Sequence, residues 1–248
     1  MVSYVKDYAT FARTVANDPP DPSHRDAHML QIFYQTKKEI LQQVLPPPLE
    51  VPDDPQAYVY HCSWGQPAFG DPYYESAQFV RARYEGREGW YLIANYVETD
   101  VALWIGRELY GLPKKIANVR LQREGNKLWG TTTRKGIEIM SVKMNIKAEQ
   151  PHDNHMESWS LKYSLTTNAE LEHVKLISLP YRLVCKESYV GDGSVSYKES
   201  DFDPVQQIEV AKPLTCWYIV FDVYRQAASE ILQFKPETLY PYFASRMR

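Results

Sequence analysis

The sequence predicts an α+β fold that is predominantly antiparallel β, a curved or closed barrel-like sheet with a few peripheral helices. Three observations predict it. From Lys115 onward, successive segments alternate apolar and polar residues with period two. The 19 Tyr and an aromatic share of 13% suit pleated surfaces. Helical spacing is confined to two segments in the first half of the chain and one at its end, so strands outnumber helices.

The elements follow in order. Residues 1–29 read as an N-terminal arm, because "NDPPDPSHRDAH" holds three prolines among turn formers. Residues 30–248 read as one domain, a size able to bury a substantial core. "LQIFYQT" is a strand. "TKKEILQQVLPPPLEV" is a helix in which Thr36 and Glu39 form a capping-box pair. Ile40, Leu41, Val44 and Leu45 make its apolar face, and three prolines end it. "AYVYHCSW" is a strand and "GQPAFGDPYYES" a loop. "SAQFVRARYEG" and "REGWYLIANYV" are strands joined around Gly86. "ETDVALWIGRELYG" is a helix, capped at Thr99 or Asp100, with Val101, Trp104 and Ile105 at helical spacing. Gly111 suits the position after its end, and Pro113 prevents continuation. "IANVRLQREGNKLWGTTT" is a hairpin turning at Glu124-Gly125-Asn126. Met140, Val142, Met144 and Ile146 share one strand face, and Trp159, Leu161, Tyr163 and Leu165 another. Strand continues through "HVKLISLPYRLVCKESYVGDGSVSY", bending at Gly191 and Gly193. The chain ends with a strand and a helix.

Composition excludes several classes. The net charge is −3, with 28 Lys+Arg and 31 Asp+Glu scattered along the chain, so no basic stripe for nucleic acid stands out. Three cysteines lie far apart and make neither a disulfide framework nor a paired metal motif. No apolar run approaches roughly 18 residues. "MVSYVKDYATFARTV" lacks an apolar signal region, so a reduced, cytoplasmic setting is expected. "HDNH" puts His152 and His155 in a polar loop with too few ligands for a metal site. His61 and Cys62 are strand neighbours that point apart.

"GRELYGLPKK" raises the functional question. A lysine pair after a helix is ordinarily solvated. Reaction with a carbonyl needs a neutral amine, and a free lysine has pKa about 10.4. A shift of about four units requires roughly 5–6 kcal/mol of differential destabilisation. Burial can supply shifts of about 3–5 units, and a neighbouring cation adds to them. Leu112, Pro113, Ile116 and Ala117 surround Lys114 and Lys115 with apolar groups. If Pro113 holds the chain extended, only one of the two faces a pocket and desolvation is the larger cause.

This stretch resembles the acetoacetate decarboxylase superfamily signature, G-R-E-L-x-x-x-P-K-K. The resemblance extends to "GWYLIANYVETDVALWIGREL", to "IFYQTKKEILQQVLPPPLE", to "YYES" and to "DPVQQIEV", covering most of the chain from about residue 30. Glu75 stands 39 residues before Lys114, as in the family. The resemblance implies that Lys114 forms the Schiff base, that Lys115 lowers its pKa, and that Glu75 is the acid/base or positioning carboxylate. Two places depart from the pattern. An arginine near the start of the first strand is replaced by Ala27, with Arg25 close by. A second pocket glutamate is replaced by Tyr60.

The implied function is a Schiff-base lyase on a small keto acid, decarboxylating a β-keto acid through a Lys114 imine and enamine, without metal or organic cofactor. A Schiff-base aldolase, dehydratase or cyclase on the same scaffold is the alternative. A non-catalytic barrel for a small apolar ligand is a third reading. Each expects an aromatic pocket with residues such as Tyr60, Tyr74 and one of Trp90 and Tyr91, which alternation keeps from facing it together, and Arg25 inside it would favour an acid. The resemblance also implies a homo-oligomer, and the charge balance and the lack of a long apolar run lead us to expect no nucleic-acid or membrane partner.

Overall fold

The structure, a computed structural model, describes residues 21–152, 155–225 and 228–244. Among these, thirteen strands form one sheet. They are β1 (His24–Gln35), β2 (Gln56–Trp64), the short β3 (Gln66–Pro67), β4 (Tyr73–Tyr84), β5 (Arg87–Val97) and β6 (Lys114–Ile116). The rest are β7 (Asn118–Glu124), β8 (Lys127–Arg134), β9 (Ile137–Glu149), β10 (His155–Leu165), β11 (Leu171–Tyr197), β12 (Lys212–Arg225) and β13 (Ser229–Phe234). Three helices accompany them: α1 (Lys38–Val44), α2 (Asp100–Tyr110) and α3 (Tyr240–Ala244).

The sheet curves in a ring. Neighbours run β10-β5-β4-β2-β1-β12-β11, and β10 pairs with β11 to complete the circuit. Every contact around it is antiparallel except the parallel β10–β5 pair. β11 has 27 residues because it serves four neighbours, β10 and β13 along its first half, then β12, then β9. β9, β8 and β7 extend from its far end and fold back over β2 and β4.

Period-two alternation divides the buried residues between two cores. One face of the ring strands gathers Tyr58, Tyr60, Cys62, Phe79, Leu92, Ile219 and Phe221, and receives Ala102, Ile105 and Tyr110 of α2. The opposite face, with Leu30, Ile32, Val59 and Val80, packs against α1 and against Val119, Met140, Val142 and Met144. The Glu85-Gly86 and Gly125-Asn126 turns close the two hairpins expected there, with Gly86 at φ 77° and Gly125 at φ 58°.

Several expectations are corrected. β1 begins at His24, inside the expected arm, because β12 offers a pairing edge from Val223 onward. Asp26, at φ 50°, takes up the bulge there. Residues 1–20 lie outside the described residues. The capping box is not formed: the cap of α1 is Lys37, without a side-chain bond, and the Thr36 hydroxyl is buried without a partner. α2 buries Ala102, Ile105, Gly106 and Tyr110, and leaves Val101 and Trp104 exposed. The small pair Ala102 and Gly106 lets the helix approach closely, which selects that face. Tyr73 to Ser76 belong to β4, not to a loop. The expected last helix is strand β13, since its residues find an open edge on β11, from Ser178↔Ser229 to Val174↔Phe234. A segment this short is a marginal helix on its own.

Candidate active site

The end of α2 sets the reactive lysine. Gly111 takes the left-handed conformation, φ 66°. Its N–H donates to Arg107 O at 3.1 Å, and the Leu112 N–H donates to Gly106 O at 3.0 Å. Those bonds satisfy the last helical carbonyls and turn the chain outward. Pro113 prevents further helix, and β6 runs parallel to β5 with Lys114 opposite Asn95 and Lys115 opposite Tyr96. In an extended segment the two lysines face opposite sides.

Lys114 lies on the aromatic face and is 6% exposed. Its stem crosses Gly106: a Cβ there would stand 2.5 Å from Lys114 Cδ and Cε. Nζ donates to Glu75 Oε2 at 2.6 Å and stands 5.8 Å from the Tyr73 ring centroid. Glu75 shares its β4 face with Tyr73, Ala77 and Phe79, and is 4% exposed. Its other oxygen accepts a short hydrogen bond from the Tyr60 hydroxyl of β2. Burial, and then the charge of Glu75, pushes the Tyr60 phenol well above its usual range, so it remains a donor. Burial likewise pushes the Cys62 thiol up.

A cavity of about 100 Å³ opens beside this pair. Tyr60, Trp64, Phe69, Tyr73, Phe79 and Phe221 give it aromatic walls, with Leu92, Ile105, Leu112 and Leu183 between them. Lys114 and Glu75 are the charged groups at its wall, and Gln31, Asn95, Ser158 and His24 are further polar ones.

Lys115 projects into different surroundings. Its Nζ donates to Asp203 Oδ1 at 2.9 Å, and Arg134 pairs with Asp203 Oδ2 at 2.7 Å. Burial lowers the Lys115 pKa from its usual value, against the opposing pull of Asp203. A second cavity of about 190 Å³ lies on this side, lined by Tyr91, Lys115, Asp203, Val205 and Ile208. The two ammonium groups therefore occupy opposite faces. Asp203 pins the Lys115 side chain on its own face.

The structure thus brings Lys114, Glu75 and Tyr60 together. It sets Tyr91 in the second cavity, and Trp90 against Tyr58 and Phe33. Tyr74 turns toward Arg120. Arg25 is exposed, pairs with Asp21 at 3.0 Å and does not line the Lys114 cavity. Sequence reasoning missed Tyr73, Phe79, Gly106, Gln31 and Asn95. Counting by twos from Glu75 would have found the first two, because residues two apart on a strand share a face. Among the described residues, no group of three His, Cys, Asp or Glu is arranged to hold a metal. No helix among them is long and apolar enough to cross a membrane.

Comparison with known proteins agrees with this geometry. The family profile described as "Acetoacetate decarboxylase (ADC)" matches residues 8–233. The chain belongs to the acetoacetate decarboxylase family. It is 33% identical over 142 residues to acetoacetate decarboxylase 3 of Mesorhizobium japonicum, covering 56% of this chain and 55% of that protein. Acetoacetate decarboxylase of Ralstonia nicotianae is 34% identical over 119 residues, 48% of each. The chain thus spans about half the length of these curated relatives. The crystal structure of the Legionella pneumophila acetoacetate decarboxylase superposes with TM-score 0.83 at 20% identity, covering 94% of this chain and 99% of that one. The enduracididine biosynthesis enzyme MppR, complexed with the condensation product of pyruvate and imidazole 4-carboxaldehyde, gives 0.72 at 14%, covering 85% and 89%. At such identities the likeness is one of fold.

Proposed function

We propose that the protein is a Schiff-base lyase that decarboxylates a small β-keto acid through Lys114. The observation that carries this reading is the buried Lys114–Glu75 pair, 2.6 Å apart, at the wall of a small aromatic cavity. Family membership supports it.

The steps follow from the geometry. The Lys114 ammonium passes a proton to Glu75, and the free amine adds to the ketone carbon. The resulting carbinolamine loses water, its oxygen taking the proton from Glu75, and a protonated imine remains. The bond to the carboxylate breaks, its electron pair moves into the imine, and CO2 leaves an enamine. The enamine carbon takes a proton from solvent, relayed by Glu75, and water then adds to the regenerated imine to release the ketone and the Lys114 ammonium. Tyr60 holds Glu75 in place throughout. Apolar walls suit this sequence because charge is dispersed as CO2 departs. The protonated imine itself stands opposite the reacting carboxylate.

Borohydride trapping with a panel of β-keto acids and 2-oxo acids, followed by peptide mass mapping, tests the reading. The expected result is an adduct on Lys114 whose mass has lost CO2, absent in Lys114→Ala. A second reading, in which the enamine attacks an aldehyde in an aldol addition and dehydration, is favoured by one observation. Among the described residues lining the cavity there is no arginine to hold a carboxylate. An adduct that incorporates an added aldehyde would select it. No adduct with any carbonyl compound would leave only ligand binding. A cytoplasmic homo-oligomer belongs to the same proposal, and sedimentation of the purified chain tests the assembly.

A further inference from the structure

The polar groups of the Lys114 cavity that the reaction leaves unused point to the rest of the substrate. Charge comes first. Among the described lining residues, Lys114 and Glu75 are the only Lys, Arg, Asp or Glu, and they neutralise each other. The Tyr60 hydroxyl is engaged by Glu75, and Ser158 Oγ donates to Leu179 O at 3.3 Å. The His24 ring nitrogens meet Ser23 Oγ at 3.1 Å and the Tyr73 hydroxyl at 3.3 Å.

Two amides remain. Gln31 on β1 is 3% exposed and Asn95 on β5 is 1% exposed, and both line the cavity. The side-chain oxygen of each is buried without a hydrogen-bond partner. The orientation of Asn95 is fixed, because its Nδ2 donates to Ser76 O at 3.1 Å, so its unpartnered atom is an acceptor. Asn95 is also the register partner of Lys114, which brings its side chain out beside the reactive amine. Buried acceptors are normally paired, and the exceptions gather where a ligand completes them.

We propose that Gln31 and Asn95 are specificity-determining residues that accept hydrogen bonds from a hydroxyl group of the substrate. The substrate class is then a hydroxylated keto compound with an uncharged tail. On the decarboxylation reading, which this inference rests on, it is a β-keto acid bearing a hydroxyl on the chain away from its carboxylate. The reacting carboxylate lies against the protonated imine and needs no further cation. A second carboxylate in the tail would be buried with no cation of its own among the described lining residues, since Lys114 is taken by Glu75 and the imine. Sites built to bond a substrate hydroxyl discriminate strongly against the analogue that lacks it, because their own polar groups are then left unpaired.

The test compares 4-hydroxybutan-2-one with pentan-2-one, which match in size and differ in the donor. Each is titrated into the protein and trapped on Lys114 with borohydride. The expected half-saturation is about tenfold lower for the hydroxy ketone, a preference of the size one good hydrogen bond supplies. 4-Oxopentanoate, with a charged tail, is expected to trap least. The preference should collapse in Gln31→Met, which keeps the side-chain length, and in Asn95→Leu. Equal half-saturation in the unmodified protein, or a preference that survives both variants, overturns the proposal. If neither ketone is trapped, the imine reading fails. Ligand-detected NMR titration of the same pair then still decides this one: tighter binding of the hydroxy ketone, lost in Gln31→Met, supports it, and equal binding overturns it.

Discussion

Gly106 does two jobs that only a residue without a side chain can combine. It sits inside α2, where alanine would ordinarily be favoured by about 1 kcal/mol. It also leaves the space through which the Lys114 stem reaches Glu75. Gly106→Ala is therefore expected to keep or slightly raise Tm while lowering imine trapping at Lys114 by roughly 100-fold, the scale of a 1 Å misplacement. Activity and Tm falling together would mean that the site collapses instead. Lys115 gives the converse case. Lys115→Ala removes one of two cations from Asp203, which is 1% exposed, and should cost on the order of 1–3 kcal/mol in urea unfolding. Trapping at Lys114 should stay within about tenfold, since the two side chains face apart. At this scale the sequence made Lys114, Glu75 and Tyr60 legible through motif and spacing. It misplaced Tyr74 because strand parity was not counted from Glu75, and Tyr91 because its face depends on the β4–β5 register, which shifts after Gln78. The choice between Tyr73 and Tyr74 is one residue, and one residue is the whole difference between two faces.

At the scale of elements, α2 and its exit were readable and the details of its packing were not. Gly111 and Pro113 fix where the helix stops, and both are visible as residue types. Which stripe of α2 turns inward depends on the lysine stem and on β10, which lie elsewhere in the chain. The same holds for β13, where an open edge on β11 decides between helix and strand. The expected capping box failed because Thr36 was drawn into the core instead. Gly111→Ala tests the exit. A Cβ there would stand 2.4 Å from Lys162 Cα and 2.7 Å from Leu161 O, both backbone atoms, on a residue at φ 66°. The expected loss is roughly 3 kcal/mol in urea unfolding, combining a left-handed alanine with a backbone clash that cannot relax cheaply. A loss under about 0.5 kcal/mol would show that α2 and β10 shift apart freely, and that the exit is not fixed by their contact.

At the scale of the molecule, period two announced a curved sheet, and β10 and β11 form a local hairpin, but the parallel β10–β5 pairing that closes the ring joins segments far apart in the chain with no local signal between them. That closure, and the return of β7 to β9 over β2 and β4, traps a histidine with no access to water. His61 is fully buried; its Nε2 meets the Thr132 hydroxyl at 2.9 Å, that hydroxyl meets Ser76 Oγ at 2.6 Å, and Nδ1 has no partner. A Cβ on Gly130 would strike the ring at 2.6 Å, so β8 is pressed onto it. Burial lowers the His61 pKa from 6.5 to about 3. The folded state thus holds the ring neutral while the unfolded chain binds a proton below pH 6.5. Stability from this group is complete above the unfolded value and is lost as pH falls through the window from about 6.5 to about 3. The limiting slope is about 1.4 kcal/mol per pH unit, reached below the half-titration point at 6.5, so between pH 6.5 and 4.5 the loss is about 2 kcal/mol. His61→Gln keeps a polar partner for Thr132 and cannot titrate. Urea unfolding of both proteins across that range should give curves that converge as pH falls, because the other titrating groups are common to both. Parallel curves would mean that the ring opens enough to hydrate His61, and that the fold over β2 and β4 is looser than its packing implies.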